Sequence, residues 1–240
     1  MSLEFLISKI QKNNFLLIGR AGIDIYPDPP GTKTENAKKY VSHLGGSSAN
    51  MGVQLSKYGA SCSILTRVSN DALGKFVLNQ LDYFNINKEL VKFEDNESRV
   101  SFAIVETTIK DHQSIIYRHK AADLFLNKSD IQIANIENYE CILISGTSLA
   151  AEPSRSSVLY ALELAKENNI PVIMDVDYRP YTWESEKKAK QIYNLAAEKC
   201  SGIIGNDDEF AVLSGNYKNA LKYAEKLSSN CDLVIYKMGE

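Results

Sequence analysis

Residues 15–22 read Phe15-Leu-Leu-Ile-Gly-Arg-Ala-Gly22, a short apolar run that ends in small and polar residues. Runs of this length are typical of buried parallel strands, because both faces of such strands are covered by other layers. Similar apolar runs occur at residues 63–66, 141–144, 172–174, 202–204 and 233–236. The repetition predicts a mostly parallel sheet.

Between these runs, apolar residues recur at helical spacing. Leu73, Val77 and Leu81 fall on one face of one such segment, and Val158 and Leu162 fall on one face of another. Repeated strand-helix-strand units favour a parallel sheet with helices on both faces. The sequence therefore predicts an α/β fold, with residues 1–240 in a single domain.

Two segments interrupt this alternation, at about residues 23–44 and 89–122. They contain short stretches such as Arg99-Val-Ser-Phe-Ala-Ile-Val105, with no helix of normal length between them. The pattern predicts antiparallel strands, in one small sheet built from two excursions of the chain. Such a sheet can serve as a lid or a dimer surface, and a plain surface meander is the alternative.

The composition limits the classes of function. The formal net charge is −3, and basic residues are interspersed with acidic ones, whereas nucleic-acid-binding proteins normally have a clustered basic face. No apolar run approaches the roughly 20 residues of a membrane span. Glu4 and Lys9 interrupt the apolar run that a signal peptide would need. We therefore expect a cytoplasmic protein that binds neither nucleic acid nor membrane.

Several motifs with known chemistry are absent. The sequence has no G-x-x-x-x-G-K-[ST] phosphate loop, no G-x-S-x-G elbow and no H-E-x-x-H pair. Gly19 and Gly22 match the dinucleotide-binding fingerprint only in part. A nucleotide-binding dehydrogenase therefore stays open as an alternative interpretation. The four cysteines are far apart and form no C-x-x-C pair, so we expect buried apolar residues rather than a zinc or redox site.

Polar residues at the ends of the predicted strands are the candidate site, because ligands of open α/β sheets bind at the carboxyl ends of strands. Asp24 follows the first strand and could accept hydrogen bonds from hydroxyl groups. Gly45 and Gly46 precede a helix, where a ligand can approach the backbone and its free N–H groups. Asn50 can both donate and accept. Taken singly, these residues are explained better by a solvated aspartate and a structural glycine turn.

Two more polar clusters follow later strands. Asp175, Asp177 and Arg179 suggest substrate or phosphate handling, or else a local ion pair. Asn206 and Glu209 are three residues apart and could hold Mg²⁺ through its water molecules. An asparagine cap with acidic residues in the first helical turn explains the same pattern.

The order of these motifs resembles a known family. The segment Gly45-Gly-Ser-Ser-Ala-Asn50, which continues to Thr66-Arg-Val-Ser-Asn-Asp-Ala-Leu-Gly74, is similar to the first signature of the ribokinase-like (phosphofructokinase-B type) carbohydrate kinases. Asn206-Asp-Asp-Glu209 is similar to their N-x-x-E motif. The resemblance extends over nearly the whole chain, and it implies ATP-dependent phosphorylation of a sugar with Mg²⁺.

Within the family, the segments 117–123 and 175–183 resemble the branch that phosphorylates 5-dehydro-2-deoxygluconate in inositol catabolism; the branch acting on 2-dehydro-3-deoxygluconate comes next. The resemblance implies that Asp24, Gly45, Gly46 and Asn50 hold sugar hydroxyls. It further implies that Arg118 and Arg179 address the carboxylate of an acid sugar or the transferring phosphate, with Mg²⁺ and phosphate at Asn206 and Glu209. The two excursions would form the lid and the contact of a homodimer.

One family motif is missing. The Gly-Ala-Gly-Asp turn, which carries the catalytic aspartate and an anion hole, does not occur in the 240 residues and is expected beyond Glu240. Residues 237–240 resemble the strand end that opens the nucleotide site. We therefore expect that the C-terminal part of the family fold is missing, that the chain is a fragment or truncated product without activity of its own, and that an apolar sheet face is exposed. A non-catalytic sugar-acid-binding homologue and a fructokinase-like specificity are the alternatives.

Overall fold

The computed structural model describes residues 3–95 and 97–238, which form two β-sheets and eight α-helices, besides short 3-10 turns. The strands are β1 (Asn14–Ile18), β2 (Gly22–Asp28), β3 (Lys39–Gly45), β4 (Ser61–Ser69), β5 (Val91–Glu94), β6 (Phe102–Val105), β7 (Ser114–Tyr117), β8 (Cys141–Ser145), β9 (Val172–Asp175), β10 (Gly202–Asn206) and β11 (Leu233–Lys237). The helices are α1 (Leu3–Lys9), α2 (Ser47–Lys57), α3 (Ala72–Tyr83), α4 (Lys128–Ile133), α5 (Ser154–Glu167), α6 (Glu186–Ala197), α7 (Asp207–Ser214) and α8 (Ala220–Leu227).

The main sheet has seven strands in the order β11-β10-β9-β8-β1-β4-β5, and all its strand pairs are parallel. Successive residues of β1 point to opposite layers. Phe15 and Leu17 pack with residues of α2 and α3, whereas Leu16 and Ile18 pack in a cluster with residues of α4 to α8. This arrangement confirms the predicted α/β fold with helices on both faces. None of the helices among the described residues is long and apolar enough to cross a membrane.

The second sheet has the order β3-β2-β6-β7, and we call it the lid sheet. It is built from two excursions of the chain, and two details differ from the predicted antiparallel sheet. Strands β2 and β6 are parallel, although β2–β3 and β6–β7 are antiparallel. Strand β5, which falls within the predicted excursion 89–122, pairs with β4 in the main sheet because the crossover helix α3 returns the chain to that sheet.

Among residues 3–95 and 97–238, no helix covers one face of β10 and β11, the last two strands of the main sheet. Ile203 on β10 packs toward α7 and α8, whereas its neighbour Ile204 lines an open cavity on the opposite face. On β11, Ile235 pairs with Ile204 and is 41% exposed. The apolar face predicted from the sequence is therefore present at β10 and β11 of the described structure.

A buried ion-pair network fastens β4 and β5 to α4. The Arg67 guanidinium donates from Nη1 to Glu94 Oε2 at 2.6 Å and from Nε to Asp130 Oδ2 at 2.8 Å. Lys92 Nζ lies 2.7 Å from the other Asp130 oxygen. Burial opposes ionisation of Asp130, but the hydrogen bonds from Arg67 and Lys92 hold its pKa below the ordinary value. The network replaces hydration of the buried carboxylates.

We predict that Arg67→Met lowers the free energy of unfolding by about 3 kcal/mol, because it removes one partner from buried charges. Arg99→Met is the matched control, since this side chain is 66% exposed and its Nε atom lies as far as 3.9 Å from Asp71 Oδ2. The control should change stability by less than about 0.5 kcal/mol. Urea unfolding of both variants measures the difference.

The pH dependence gives a second readout of the same network. Because the pKa of Asp130 is lower in the folded chain than in the unfolded one, its contribution is complete above about pH 4. The contribution is lost as the pH falls through the lower, folded pKa. The stability gap between the unmodified chain and Arg67→Met should therefore narrow in acid. Equal losses for Arg67→Met and Arg99→Met at neutral pH would contradict this account.

Candidate active site

An open cavity of about 900 Å³ lies between the carboxyl edge of the main sheet and the lid sheet. This volume is in the range of small-molecule sites. The lid sheet contributes Asp24, Ala103 and Ile116 from one face, and these residues are cross-strand neighbours. The main sheet contributes Asp175 at the end of β9 and Ile204 from the middle of β10, and α2 contributes Asn50 from its first turn. The cavity thus extends over part of the sheet face and reaches the strand ends where the sequence predicts a ligand.

The structure brings four predicted residues to this cavity: Asp24, Gly46, Asn50 and Arg179 all line it. Gly45 lies directly beside Asp24, because a Cβ atom at Gly45 would stand 2.2 Å from Asp24 Oδ1. Burial raises the pKa of the Asp24 carboxyl, although Arg20 and His43 oppose the shift. No described residue forms a hydrogen bond with this carboxylate, so its oxygens can accept bonds from a hydroxylated ligand.

Gly46 is held at the N-terminus of α2 by a close backbone contact. Its φ of 96° lies in the region that favours glycine, and a Cβ atom there would stand 2.5 Å from the Arg20 carbonyl oxygen. The Ala49 N–H donates to that same oxygen at 3.2 Å, and the Asn50 N–H donates to the Gly46 carbonyl at 2.9 Å. The glycine therefore allows the turn that presents Asn50 to the cavity.

A hydroxyl network joins α2 to the ends of β8 and β9. Ser47 Oγ lies 2.8 Å from Ser145 Oγ, which lies 3.1 Å from Asp177 Oδ2 and 2.7 Å from the Thr147 hydroxyl. Asp177 is buried, has a φ of 40° and forms an ion pair with Arg179 Nη2 at 2.6 Å. Such backbone strain in a residue other than glycine is concentrated at functional sites. Sequence analysis missed Ser47 and Ser145, since their partners are distant in the chain.

Asn206 and Glu209 line a neighbouring cavity of about 520 Å³, which shares Tyr178, Arg179 and Pro180 with the first. Asn206 Oδ1 accepts from the Glu209 N–H at 2.9 Å, and Glu209 Oε2 accepts from the Asn206 N–H at 2.7 Å. The Tyr178 N–H donates to the second carboxylate oxygen at 3.2 Å. The motif is therefore a reciprocal helix cap that also fixes the wall between the two cavities.

The acidic groups beside this wall could support a cation only through water. Asp175 and Glu209 are both buried enough that their pKa values are raised, although the Lys237 ammonium opposes the shift. Lys237 Nζ lies 3.6 Å from Asp175 Oδ1 and 4.0 Å from Glu209 Oε2. Within the described ranges, no three His, Cys, Asp or Glu side chains form a group that could hold a metal ion. A cation bound here would have to keep several of its waters, as Mg²⁺ does. Gly239 and Glu240 of the predicted nucleotide-site segment lie outside the described residues.

Arg118 lies away from the first cavity. Its guanidinium is buried, donates to the Thr147 carbonyl at 3.0 Å and forms an ion pair with Asp123. It lines a separate cavity of about 580 Å³. Arg20, which sequence analysis did not select, lines the first cavity instead. The sequence contains one signal that could have identified Arg20. It directly follows the first apolar run, and the other candidate residues were selected because they follow such runs.

Comparisons with known proteins agree with this geometry. Residues 12–240 match the pfkB family carbohydrate kinases. The 5-dehydro-2-deoxygluconokinase of Photobacterium profundum is 34% identical over 230 residues, which cover 94% of this chain and 70% of that protein. The enzyme of the same name from Clostridium beijerinckii is 38% identical over 206 residues, which cover 85% of this chain and 61% of that protein.

Two solved structures share the fold. A PfkB protein from Polaromonas sp. JS666 superposes with a TM-score of 0.82 at 19% identity, over 94% of this chain and 76% of that one. A fructokinase from Vibrio cholerae O395, in its fructose, ADP and potassium ion bound form, gives 0.81 at 23% identity, over 95% and 71%. Fold and site together define a ribokinase-like phosphotransferase. This chain belongs to the pfkB family of carbohydrate kinases, and it spans about 70% of the length of the Photobacterium relative.

We predict that Gly46→Ala lowers the free energy of unfolding by at least about 2 kcal/mol, because a Cβ atom would meet the Arg20 carbonyl at a strained φ. Gly59→Ala is the matched control: Gly59 has a φ of 85°, but no atom lies within 4 Å of its Cβ position. The control should cost about 1 kcal/mol, from the backbone conformation alone. Urea unfolding measures both, and equal costs would show that the Arg20 contact is unimportant.

Proposed function

We propose that this chain binds 5-dehydro-2-deoxygluconate and belongs to an enzyme that transfers a phosphoryl group from ATP to it. The observation that carries the proposal is the adjacency of two cavities. Groups that can bind hydroxyls line the first, Asn206 and Glu209 line the second, and residues 178–180 line both. The names of the relatives at 34–38% identity support the choice of sugar acid.

Each predicted residue has a role in this proposal. Asp24 and Asn50 hold hydroxyl groups of the sugar, and Gly45 and Gly46 let the sugar approach the backbone. Arg179 stands at the wall between the cavities, where its side chain is 41% exposed and can reach the transferring phosphate.

Arg118 does not line the first cavity, and its charge acts on the site through Arg20, whose pKa it helps to lower. Asn206 and Glu209 orient Mg²⁺ and phosphate through water. Mg²⁺ bound there would neutralise charge on the phosphates of ATP. Cytoplasmic location and a place in inositol catabolism stay predictions.

Two other functions remain candidates. The likeness to a fructose-bound fructokinase supports a fructokinase-like specificity, and 2-dehydro-3-deoxygluconate is the alternative acid. A sugar-acid-binding homologue without catalysis is the alternative outside the enzyme class. The motif Gly-Ala-Gly-Asp does not occur in the 240 residues, and we predict that they do not consume ATP by themselves. Turnover at about 1–100 s⁻¹ in an ATP-consumption assay would contradict this prediction.

The binding test compares the three sugars by calorimetry. We expect 5-dehydro-2-deoxygluconate to bind more tightly than 2-dehydro-3-deoxygluconate or fructose. Asn50→Ala should weaken that binding by about 1–3 kcal/mol, because a sugar hydroxyl loses its partner. Asn168→Ala, an exposed asparagine after α5, is the control and should leave affinity unchanged. Tightest binding of fructose would favour the fructokinase-like function, and unchanged affinity in Asn50→Ala would remove Asn50 from the site.

We also propose that two copies associate through the outer face of the lid sheet. That face lies opposite Asp24 and carries a row of Ile25, Ile104 and Ile115 beside stacked Phe102 and Tyr117 rings, whose centroids are 4.7 Å apart. Ile115 is 37% and Tyr117 52% exposed, whereas Ile25, Phe102 and Ile104 are half-buried. Contiguous apolar surface on a small protein marks interaction sites.

Light scattering tests this association. The unmodified chain should have the mass of a dimer, and Ile115→Asp should have the mass of one chain, because a charge at the centre of an apolar interface is poorly solvated. Ile109→Asp is the control, since Ile109 is 98% exposed outside the lid strands. A dimer that persists in Ile115→Asp, or a monomeric unmodified chain, would contradict the proposed interface.

A further inference from the structure

The side chain of Arg20 is charged and buried, and no interaction described so far involves its guanidinium. The residue is 7% exposed, and its side chain lines the cavity that also contains Asp24. Among residues 3–95 and 97–238, its guanidinium forms no hydrogen bond and no close ion pair, and Nε is buried without a partner. Burying an unpaired charge is costly, so buried guanidinium groups are normally hydrogen-bonded. The N–H groups of Arg20 therefore need an acceptor from outside the protein.

The charges around Arg20 define what that acceptor must be. Arg118, Asp123, Asp177 and Asp24 all act on it electrostatically. Asp123 is already paired with Arg118, and Asp177 is paired with Arg179 and bonded to Ser145. Burial, reinforced by Arg118, lowers the pKa of the Arg20 guanidinium from its ordinary value. The site thus holds one guanidinium without a direct hydrogen-bond or ion-pair partner, which a ligand anion would stabilise.

Asp24, four residues after Arg20, offers hydrogen-bond acceptors where Arg20 offers donors. Its carboxylate lines the same cavity and forms no hydrogen bond with any described residue. Arg20 offers only donors, and an ionised Asp24 offers only acceptors. The pair therefore suits a small molecule that carries a carboxylate and hydroxyl groups on one skeleton, and it suits a neutral sugar poorly.

We propose that Arg20 binds the carboxylate of the acid sugar and is the residue by which this site selects an acid over a neutral sugar. The inference rests on the proposed function and adds a specificity-determining residue to it. A planar guanidinium can bind a carboxylate through two parallel hydrogen bonds. Arg179 is then available for the transferring phosphate at the wall between the cavities.

The test uses two ligands that differ at one carbon. The acid is 5-dehydro-2-deoxygluconate, and its neutral counterpart is 5-deoxyfructose, which has a primary alcohol in place of the carboxylate. Arg20→Met should weaken binding of the acid by about 10- to 100-fold, as expected for a charge-assisted pair. Affinity for 5-deoxyfructose should change by less than about twofold. Arg20→Lys should be intermediate, because it keeps the charge but loses the planar fork.

The Tm of the ligand-free variants separates recognition from a structural role. Because Arg20 has no hydrogen-bond partner in the described protein, Arg20→Met should leave Tm unchanged or raise it. A structural partner of the aspartates would give a lower Tm and a similar loss for both ligands. Arg99→Met, an exposed arginine outside this cavity, is the control and should change neither affinity nor Tm.

The outcomes distinguish this inference from the proposed function. Tight binding of the acid by the unmodified chain, lost in Arg20→Met with the neutral sugar unaffected, supports the inference. Tight binding of the acid by both proteins overturns the role of Arg20 and leaves the proposed function standing. Equal loss of both ligands together with a lower Tm also overturns it. If the unmodified chain binds no sugar acid, the proposed function and the inference both fail.

Discussion

The contact between Gly46 and the carbonyl of Arg20 is the constraint on which the site depends. The two residues lie at the base of the first lid excursion, one before β2 and one after β3. Only a residue without Cβ lets the backbones approach so closely, and the Ala49 N–H then bonds to the same carbonyl. A single junction therefore fixes the start of α2, the base of the lid sheet and the position of the Arg20 side chain.

The arginines in and around the cavity differ in whether they have an ion-pair partner. Arg179, in the wall of the cavity, forms an ion pair with Asp177, and Arg118, behind it, forms an ion pair with Asp123. These ion pairs hold the walls in place. Arg20 lacks such a partner, so the protein bears a desolvation cost that a bound anion would offset. Natural sites tolerate such costs because binding requires groups that folding leaves unsatisfied.

The main sheet could be predicted from the sequence because its central strands are buried on both faces, which leaves uninterrupted apolar runs such as residues 141–144. Strand β5 was not predicted as part of the main sheet because it has no uninterrupted apolar run. It lies at the edge of the sheet, where Lys92 and Glu94 face the ion-pair network rather than an apolar layer. Its short alternating pattern could not be distinguished from that of a lid strand.

The candidate site was predicted where its residues follow strands in the sequence, as Asp24 and Asn206 do. The partner of each side chain could not be predicted, since that depends on segments distant in the chain. Arg118 resembles an anion-binding residue of the family, yet its guanidinium is engaged by Asp123 and Thr147. Arg20 was not selected from the sequence, because its lack of a partner becomes visible only when the lid sheet is in place.

The lid sheet has all its connections to the main body at one end. Strands β2 and β6 begin at that end and β3 and β7 finish there, as the pairing of Gly22 with Gly45 and of Phe102 with Tyr117 requires. A sheet joined to the body along one edge rotates about that edge more readily than it translates or twists. A ligand bound between the lid sheet and the main sheet would restrict mainly this rotation. Binding would then remove little conformational entropy from the protein, and more of the contact energy would be available for affinity.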